Sequence, residues 1–212
     1  MKIDFVSDIA CPWCAIGVHA LDSALARIGD AFPVELQYQP FELNPDMPAE
    51  GADTVLYLST KYGIGPEQIR VNQAAIRERG AAVGFAFGER ARVWNTFDAH
   101  RLLYWAHAEG GPDAQRRLKH ALLAAYHGQG RNPGARELLL ELVASVGLDP
   151  ARAAAILGSE EFAPEVRAAE HQWLSAGIQS VPAVVVDRRH LISGAQTPEV
   201  FEQALRRLAA EA

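Results

Sequence analysis

A chain of 212 residues, 49% hydrophobic and 22% charged, carries enough apolar surface for a packed core, and its length suits one domain with an elaboration. A formal net charge of −6, with no Lys/Arg run to track phosphates, excludes a nucleic-acid binder. No uninterrupted apolar run of about 18 residues is present to span a membrane.

The chain opens "MKIDFVSDIACPWC", with acids at Asp4 and Asp8. It lacks the basic start, apolar stretch and small-residue cleavage site of a signal peptide, so a cytoplasmic location is expected. There a structural disulfide would be reduced, and a cysteine pair points to catalysis or metal. Ile3 and Phe5 alternate with polar neighbours as in a strand, and Cys14, Val18, Leu21 and Leu25 then fall on one stripe of a helix. Gly29 and Asp30 punctuate it. "PVELQYQP" alternates Val34, Leu36 and Tyr38, a second strand closed by Pro40.

From about Thr54 to Ala176 the pattern is helical. "GPEQIRVNQAAIRERGAAVG" starts with Pro66 in a first turn, and further helices are expected around 95–109, 113–127, 134–146 and 150–157. "EVRAAEHQWLSAG" ends at Gly177, a C-terminal cap. The richest basic cluster of the chain, Arg116, Arg117 and Lys119, falls within this block and reads as a solvated face. Strands then return. "AVVVD" (183–187) has the continuous β-branched run of a strand buried on both faces, and "HLISG" (190–194) pairs back through Arg188 and Arg189. Thr197 caps a last helix, with Pro198 in its first turn and Val200, Phe201, Ala204, Leu205 and Leu208 on its buried side. The fold class is α/β. Residues 1–50 and 177–212 form one domain, interrupted by a helical insertion over 51–176.

Cys11 and Cys14 are the only cysteines. At a strand-to-helix junction, with Pro12 in the first helical turn, Cys11 sits at the positive end of the helix dipole. Such a position lowers a thiol pKa from about 8.5 to roughly 3.5–7.5. Cys11 is therefore the expected exposed nucleophile. Cys14 heads the apolar stripe and is the buried, less ionised thiol that resolves a mixed disulfide. Trp13 between them faces outward. No metal site is expected: there is no second cysteine pair, and His100 and His107 stand too far apart for a paired-ligand hook.

"QSVPAVVVD" places Pro182 just before a central strand, a position that tolerates the missing N–H. Residue physics leaves its isomer open. The N-terminal strand, CPWC opening a helix, the helical insertion and "SVPAVVVD" together resemble the thioredoxin superfamily. More narrowly, "PFELNP" (40–45), "NTFDAHRL" (95–102) and "VPAVVVD" (181–187) are similar to the DsbA family and its FrnE-like branch, which includes 2-hydroxychromene-2-carboxylate isomerase/DsbA-like thioredoxins. The resemblance implies a thioredoxin-like fold, a cis Pro182 beside the cysteines and a Val181 that offers backbone groups to a substrate strand. By the same resemblance Asn95, His100 and Arg101 line the cleft; the residues alone make Asn95 a helix cap and His100 a partly buried histidine. It also implies a buried carboxylate behind the resolving thiol, for which Asp4, Asp8, Glu35 and Glu42 are all candidates. Trp94, Trp105 and Trp173 are core or groove aromatics.

The function expected is a DsbA-type thiol–disulfide oxidoreductase acting on protein or low-molecular-weight thiols and disulfides. No bound cofactor is expected, the redox-active disulfide being the reagent and glutathione a candidate co-substrate; a homodimer is left open. The alternatives are a kappa-class-like glutathione-dependent isomerase or transferase, whose relatives carry serine in place of the first cysteine, and a peptide-binding chaperone-like module.

Overall fold

In a computed structural model, which describes residues 1–211, β1 (Lys2–Ser7) leads through a short turn into α1 (Pro12–Ile28) and back to β2 (Glu35–Pro40). β1 pairs with β2 in parallel and, on its other side, antiparallel with β5 (Ala183–Val186). With β6 (His190–Ser193) the sheet order is β2-β1-β5-β6. The two interior strands are the ones whose side chains are buried on both faces, Ile3 to Ser7 and Ala183 to Val186. The late apolar run is one residue shorter than its sequence suggests. Asp187 and Arg188 both take positive φ, 50° and 54°, and turn the chain before the run can continue.

The stripe expected on α1 packs as read, with Cys14, Val18 and Leu21 buried. Its neighbour is α8 (Pro198–Ala210), where Phe201, Leu205 and Leu208 recur at i, i+4 and i+7 and Thr197 accepts from the Val200 N–H. Val200 does not join that face. One residue before Phe201 places it about 100° round the helix, and it is 42% exposed.

Between β2 and β5 lie six helices: α2 (Thr54–Tyr62), α3 (Pro66–Ala82), α4 (Phe97–Leu123), α5 (Arg136–Ser145), α6 (Pro150–Leu157) and α7 (Ala163–Ser175). A two-stranded ribbon of β3 (Ala52–Asp53) and β4 (Arg92–Val93) ties the start of the first of them to the start of the third. α4 is two arms. Gly111, at φ 80° and ψ −178°, breaks it just before Pro112, whose ring would clash with the preceding turn of a continuous helix. The second arm runs into a single π-turn, Ala124–Gly128.

That second arm corrects the reading of the basic cluster. Helical periodicity puts Lys119 on one stripe with Gln115, Leu118 and Leu122, all buried against the sheet, while Arg116 and Arg117 point outward. Gln115 there exchanges hydrogen bonds of 2.9 Å with both the N–H and the carbonyl of Tyr38, so the free edge of β2 is paired by a side chain. At the far end, α7 closes in a Schellman motif: Ile178 N–H bonds to the Trp173 carbonyl, and Gly177, at φ 88°, to that of Leu174. Trp173 and Ile178 pack in one cluster with Val185, which aims residues 179–182 at the N-terminus of α1.

Candidate active site

The site begins where β1 ends. Asp8 lies wholly buried in the turn, and both of its oxygens are occupied. Oδ1 accepts from the Ala10 N–H (3.0 Å) and the Thr96 hydroxyl (2.8 Å) and lies 3.4 Å from His100 Nε2; Oδ2 accepts from the Leu43 N–H at 2.7 Å. Burial opposes its ionisation, but the hydrogen bond and charge of His100, with the two N–H donors, outweigh it and hold the carboxyl below its usual range. This fixed turn sets Cys11 at the N-cap of α1, with Pro12 following in the first turn and the Cys14 N–H bonded to the Cys11 carbonyl.

Cys11 Sγ donates to the Val181 carbonyl at 3.6 Å. The Val181–Pro182 bond is cis, and Pro182 presses on the helix at Gly17. A Cβ there would stand 3.1 Å from the Phe5 ring and 3.2 Å from Pro182, so the missing side chain is what lets this wall close. The closure corrects one expectation. Cys11 is only 4% exposed, because the Val181 loop roofs its sulfur; Cys14 is 0% exposed. The contrast between the two thiols survives in their ionisation. The Cys14 side-chain hydrogen bond and nearby N–H groups draw the Cys11 pKa down against burial and the Asp8 charge, while burial first, and the neighbouring Cys11 next, push Cys14 well up. Both thiols are free.

Cys11 floors a groove of about 770 Å³ whose far wall comes from α2 and α3. Pro12, Trp13 (39% exposed) and Val181 line it. Among the described residues, the charged ones that line it are Lys61 and Arg90. Lys61 Nζ donates to the Leu43 carbonyl and Asn44 Oδ1 and lies 5.5 Å from the Tyr57 ring centre. Arg90 donates to the Ala10 carbonyl at 3.0 Å and covers the Tyr126 ring. Behind Arg90, His127 Nε2 is 2.8 Å from the Ile9 carbonyl, a contact the ring makes as the donor, and burial holds the imidazole well below its ordinary pKa. Among the described residues, neither Lys61 nor Arg90 has a carboxylate within ion-pair distance, and no group of three His, Cys, Asp or Glu converges as a metal site.

The other sequence candidates lie apart from the groove. Thr96, not Asn95, is the N-cap of α4; Asn95 stands one residue earlier, accepts from the Phe97 N–H and donates to the Pro45 and Met47 carbonyls. His100 sits beneath the site on Asp8, and Arg101 is spent on the carbonyls of Ile156, Ser159 and Glu161. Of the carboxylates, Asp4 is buried on Gln39, Glu35 is exposed and Glu42 pairs with Arg167; Asp8 alone acts on a cysteine. Trp105 and Trp173 are core, and Trp94 meets Tyr126 edge-to-face at 5.8 Å between ring centres. Lys61, Arg90, Lys119 and His127 escaped the sequence reading. Only Lys119 left a trace there, its place on the 115–118–122 stripe.

A four-stranded mixed sheet with a cysteine pair at the N-terminus of its first helix and a proline loop over the sulfur defines a thioredoxin-like protein. The chain belongs to the DsbA-like thioredoxin domain family, whose model matches residues 2–206. It is 35% identical to a probable DsbA oxidoreductase from Streptomyces coelicolor, with a TM-score of 0.92 over 100% of this chain and 91% of that one. The fold is shared, at 16% identity and a TM-score of 0.73, with a 2-hydroxychromene-2-carboxylate isomerase, over 100% of this chain and 97% of that one. It is also shared with the cytosolic disulfide reductase DsbM of Pseudomonas aeruginosa with glutathione, at 18% identity and 0.69, over 99% and 100%. Among curated proteins no relative matches. No described helix is long and apolar enough to cross a membrane.

Proposed function

We propose that the protein is a thiol–disulfide oxidoreductase in which Cys11 attacks and Cys14 resolves. The observation that carries this is the asymmetry of the pair: Cys11 lies at the N-terminus of α1 on the floor of a groove, and Cys14 is enclosed one turn behind it. The Cys11 thiolate attacks one sulfur of a substrate disulfide, and the other sulfur leaves as a thiolate. Cys14 then attacks the Cys11 sulfur, an internal disulfide forms, and the second substrate thiolate departs. In the opposite direction the same steps oxidise a dithiol. Val181 would meet an extended substrate through its backbone, as its carbonyl already meets the Cys11 thiol.

Family membership and the 35% identical oxidoreductase support the same reading. The isomerase alternative is weakened by Cys11 itself, which stands where glutathione-activating relatives carry serine. The two unpaired cations of an otherwise uncharged groove, in a chain of net charge −6, favour substrates that bring carboxylates next to their sulfur.

Disulfide exchange by Cys11→Ser and Cys14→Ser variants tests the proposal. Cys11→Ser should lose all turnover of insulin or of a reduced test protein. Cys14→Ser should still attack and accumulate the mixed disulfide, visible by mass. Turnover that survives in Cys11→Ser would sink the assignment.

A further inference from the structure

Beneath the cysteine pair, on the side away from the groove, lies a lysine that the reaction scheme above does not use. Lys119 is 0% exposed, delivered to the sheet from the second arm of α4. Buried ammonium groups are costly and are normally answered by a carboxylate. Lys119 has none in salt-bridge contact among the described residues; its Nζ donates to the hydroxyl of Ser7 at 2.9 Å, the last residue of β1, and stands 5.8 Å from the Tyr38 ring centre. It also borders a small cavity, shared with His100 and Tyr104, in which about 10 Å³ is open to the centre of a water-sized sphere. That is room for one water beside the amine and the His100 ring.

The groups that face Lys119 come from every element around it: Ser7 and Asp8 from β1 and its turn, Cys11 and Cys14 from α1, Tyr38 from β2, His127 from the π-turn, and His100 and Tyr104 across the cavity. Burial pulls the amine down to about 8, and the charges that hold it from falling further are, in order, those of Cys14, Asp8 and Cys11. Asp8 is already satisfied by its own donors. The cation that favours the Cys14 thiolate is Lys119.

Resting on the oxidoreductase reading, we propose that Lys119 is a positioning residue for resolution: its buried ammonium is the counter-charge that lets Cys14 ionise and attack the mixed disulfide. It acts through the field and makes no bond to the reacting sulfurs. In the step, Cys14 gives up its thiol proton to solvent and its sulfur forms the bond to Cys11; the Cys11–substrate bond breaks and its electron pair leaves with the substrate thiolate. The dithiol loses two electrons and the substrate disulfide gains them.

Single-turnover reaction of the reduced protein with a bis(nitrobenzoate) disulfide separates the two events, because each releases one coloured thiolate. The first phase reports Cys11 and tests the oxidoreductase reading; the second reports Cys14 and tests Lys119. Lys119→Met should slow the second phase about tenfold near neutral pH, the change in thiolate fraction that accompanies a tenfold weaker thiol acidity, and slow the first phase less, because Cys11 is the weakest of the charges that act on the amine. Its second-phase pH profile should move to higher pH, and its melting temperature should rise. Lys119→Arg should recover the second phase. A folded Lys119→Met with an unaltered second phase, equal slowing of both phases, or an Arg variant as slow as the Met variant would each overturn the proposal. Should Lys119→Met fail to fold, Ser7→Ala decides the matter. It removes the acceptor of Nζ and should slow the second phase selectively; an unchanged second phase counts against the role. Absence of any first phase would refute the oxidoreductase reading instead.

Discussion

The two sides of the cysteine helix are built to different standards. On the inner side, β1 and the second arm of α4 bury almost everything they present, and Asp8 there has a donor for every direction in which its oxygens accept. On the outer side, α2 buries only Thr54 and α3 only Ile69 and Gly80, and the groove wall they form leaves Leu56, Tyr62 and Val71 exposed. A rigid interior can hold ionisation states apart, because charges in it cannot be resolvated. A thin, loosely packed wall can do little to a pKa but decides what reaches the sulfur. The ionisation of the thiols is thus set by one side and access by the other, and substitutions on the two sides should fail in different ways.

Asp8→Asn strikes the inner side and should have the largest effect. The amide keeps the shape but points a donor at donors, which costs about 3 kcal/mol in a buried charged site. Denaturant midpoints of the reduced protein measure this. At the same time the Cys11 thiol should ionise at lower pH, since the Asp8 charge opposes its thiolate. A variant of parental stability would mean that the four contacts to Asp8 are not holding the turn.

Lys61→Glu strikes the outer side. Lys61 is exposed, so folding should be untouched. The second-order rate with an anionic aromatic disulfide should fall about tenfold at low ionic strength, within the range of electrostatic steering. The difference should close near 1 M salt, where screening acts over about 3 Å, and a neutral disulfide should react as before. Loss of rate with both disulfides would mean that Lys61 shapes the groove and does not select charge.

What the sequence disclosed follows the same division. Periodic and local signals were readable: the stripes of α1 and α8, the twice-buried run before Asp187, Pro12 in the first turn behind Cys11, and the Gly177 cap. Pro182 was readable as a strand start, and the fold followed from its combination with the cysteines. The interior partners were not, because they are set by contacts between residues far apart in the chain. Asp8 could not be told from Asp4 or Glu42 until Leu43, Thr96 and His100 were placed around it. Lys119 was misread by its basic neighbours Arg116 and Arg117, although Leu118 and Leu122 on the same stripe already pointed it inward. Cys11 was expected in the open because a helix N-terminus usually is; the roof over it comes from residues 170 positions away. The ribbon of β3 and β4 is two residues a side, too short to show a period.

The smallest effect expected is on acid stability, and it again belongs to the inner side. His127 is buried on the Ile9 carbonyl with Arg90 beside it, and its pKa in the fold lies well below the ordinary value near 6.5. The folded imidazole stays neutral where the unfolded one takes a proton. The unfolded chain therefore binds more protons as pH falls through about 6.5, and stability drops in that direction by about 1 kcal/mol between pH 6.5 and 5.5. Half-buried His19, also lowered chiefly by burial, adds in the same sense. Lys119 contributes no slope there. Its folded value is about 8 against an ordinary 10.5, so its cost develops as pH falls between those two values and is constant below them. Asp8, with its pKa lowered, withdraws its stabilisation only under more acidic conditions still. His127→Gln, which keeps a donor for the Ile9 carbonyl, should flatten the urea-midpoint profile between pH 6.5 and 5.5 without flattening it above pH 8. A profile unchanged by that substitution would place the acid-sensitive proton elsewhere and leave the inner wall with one buried base fewer than the geometry assigns to it.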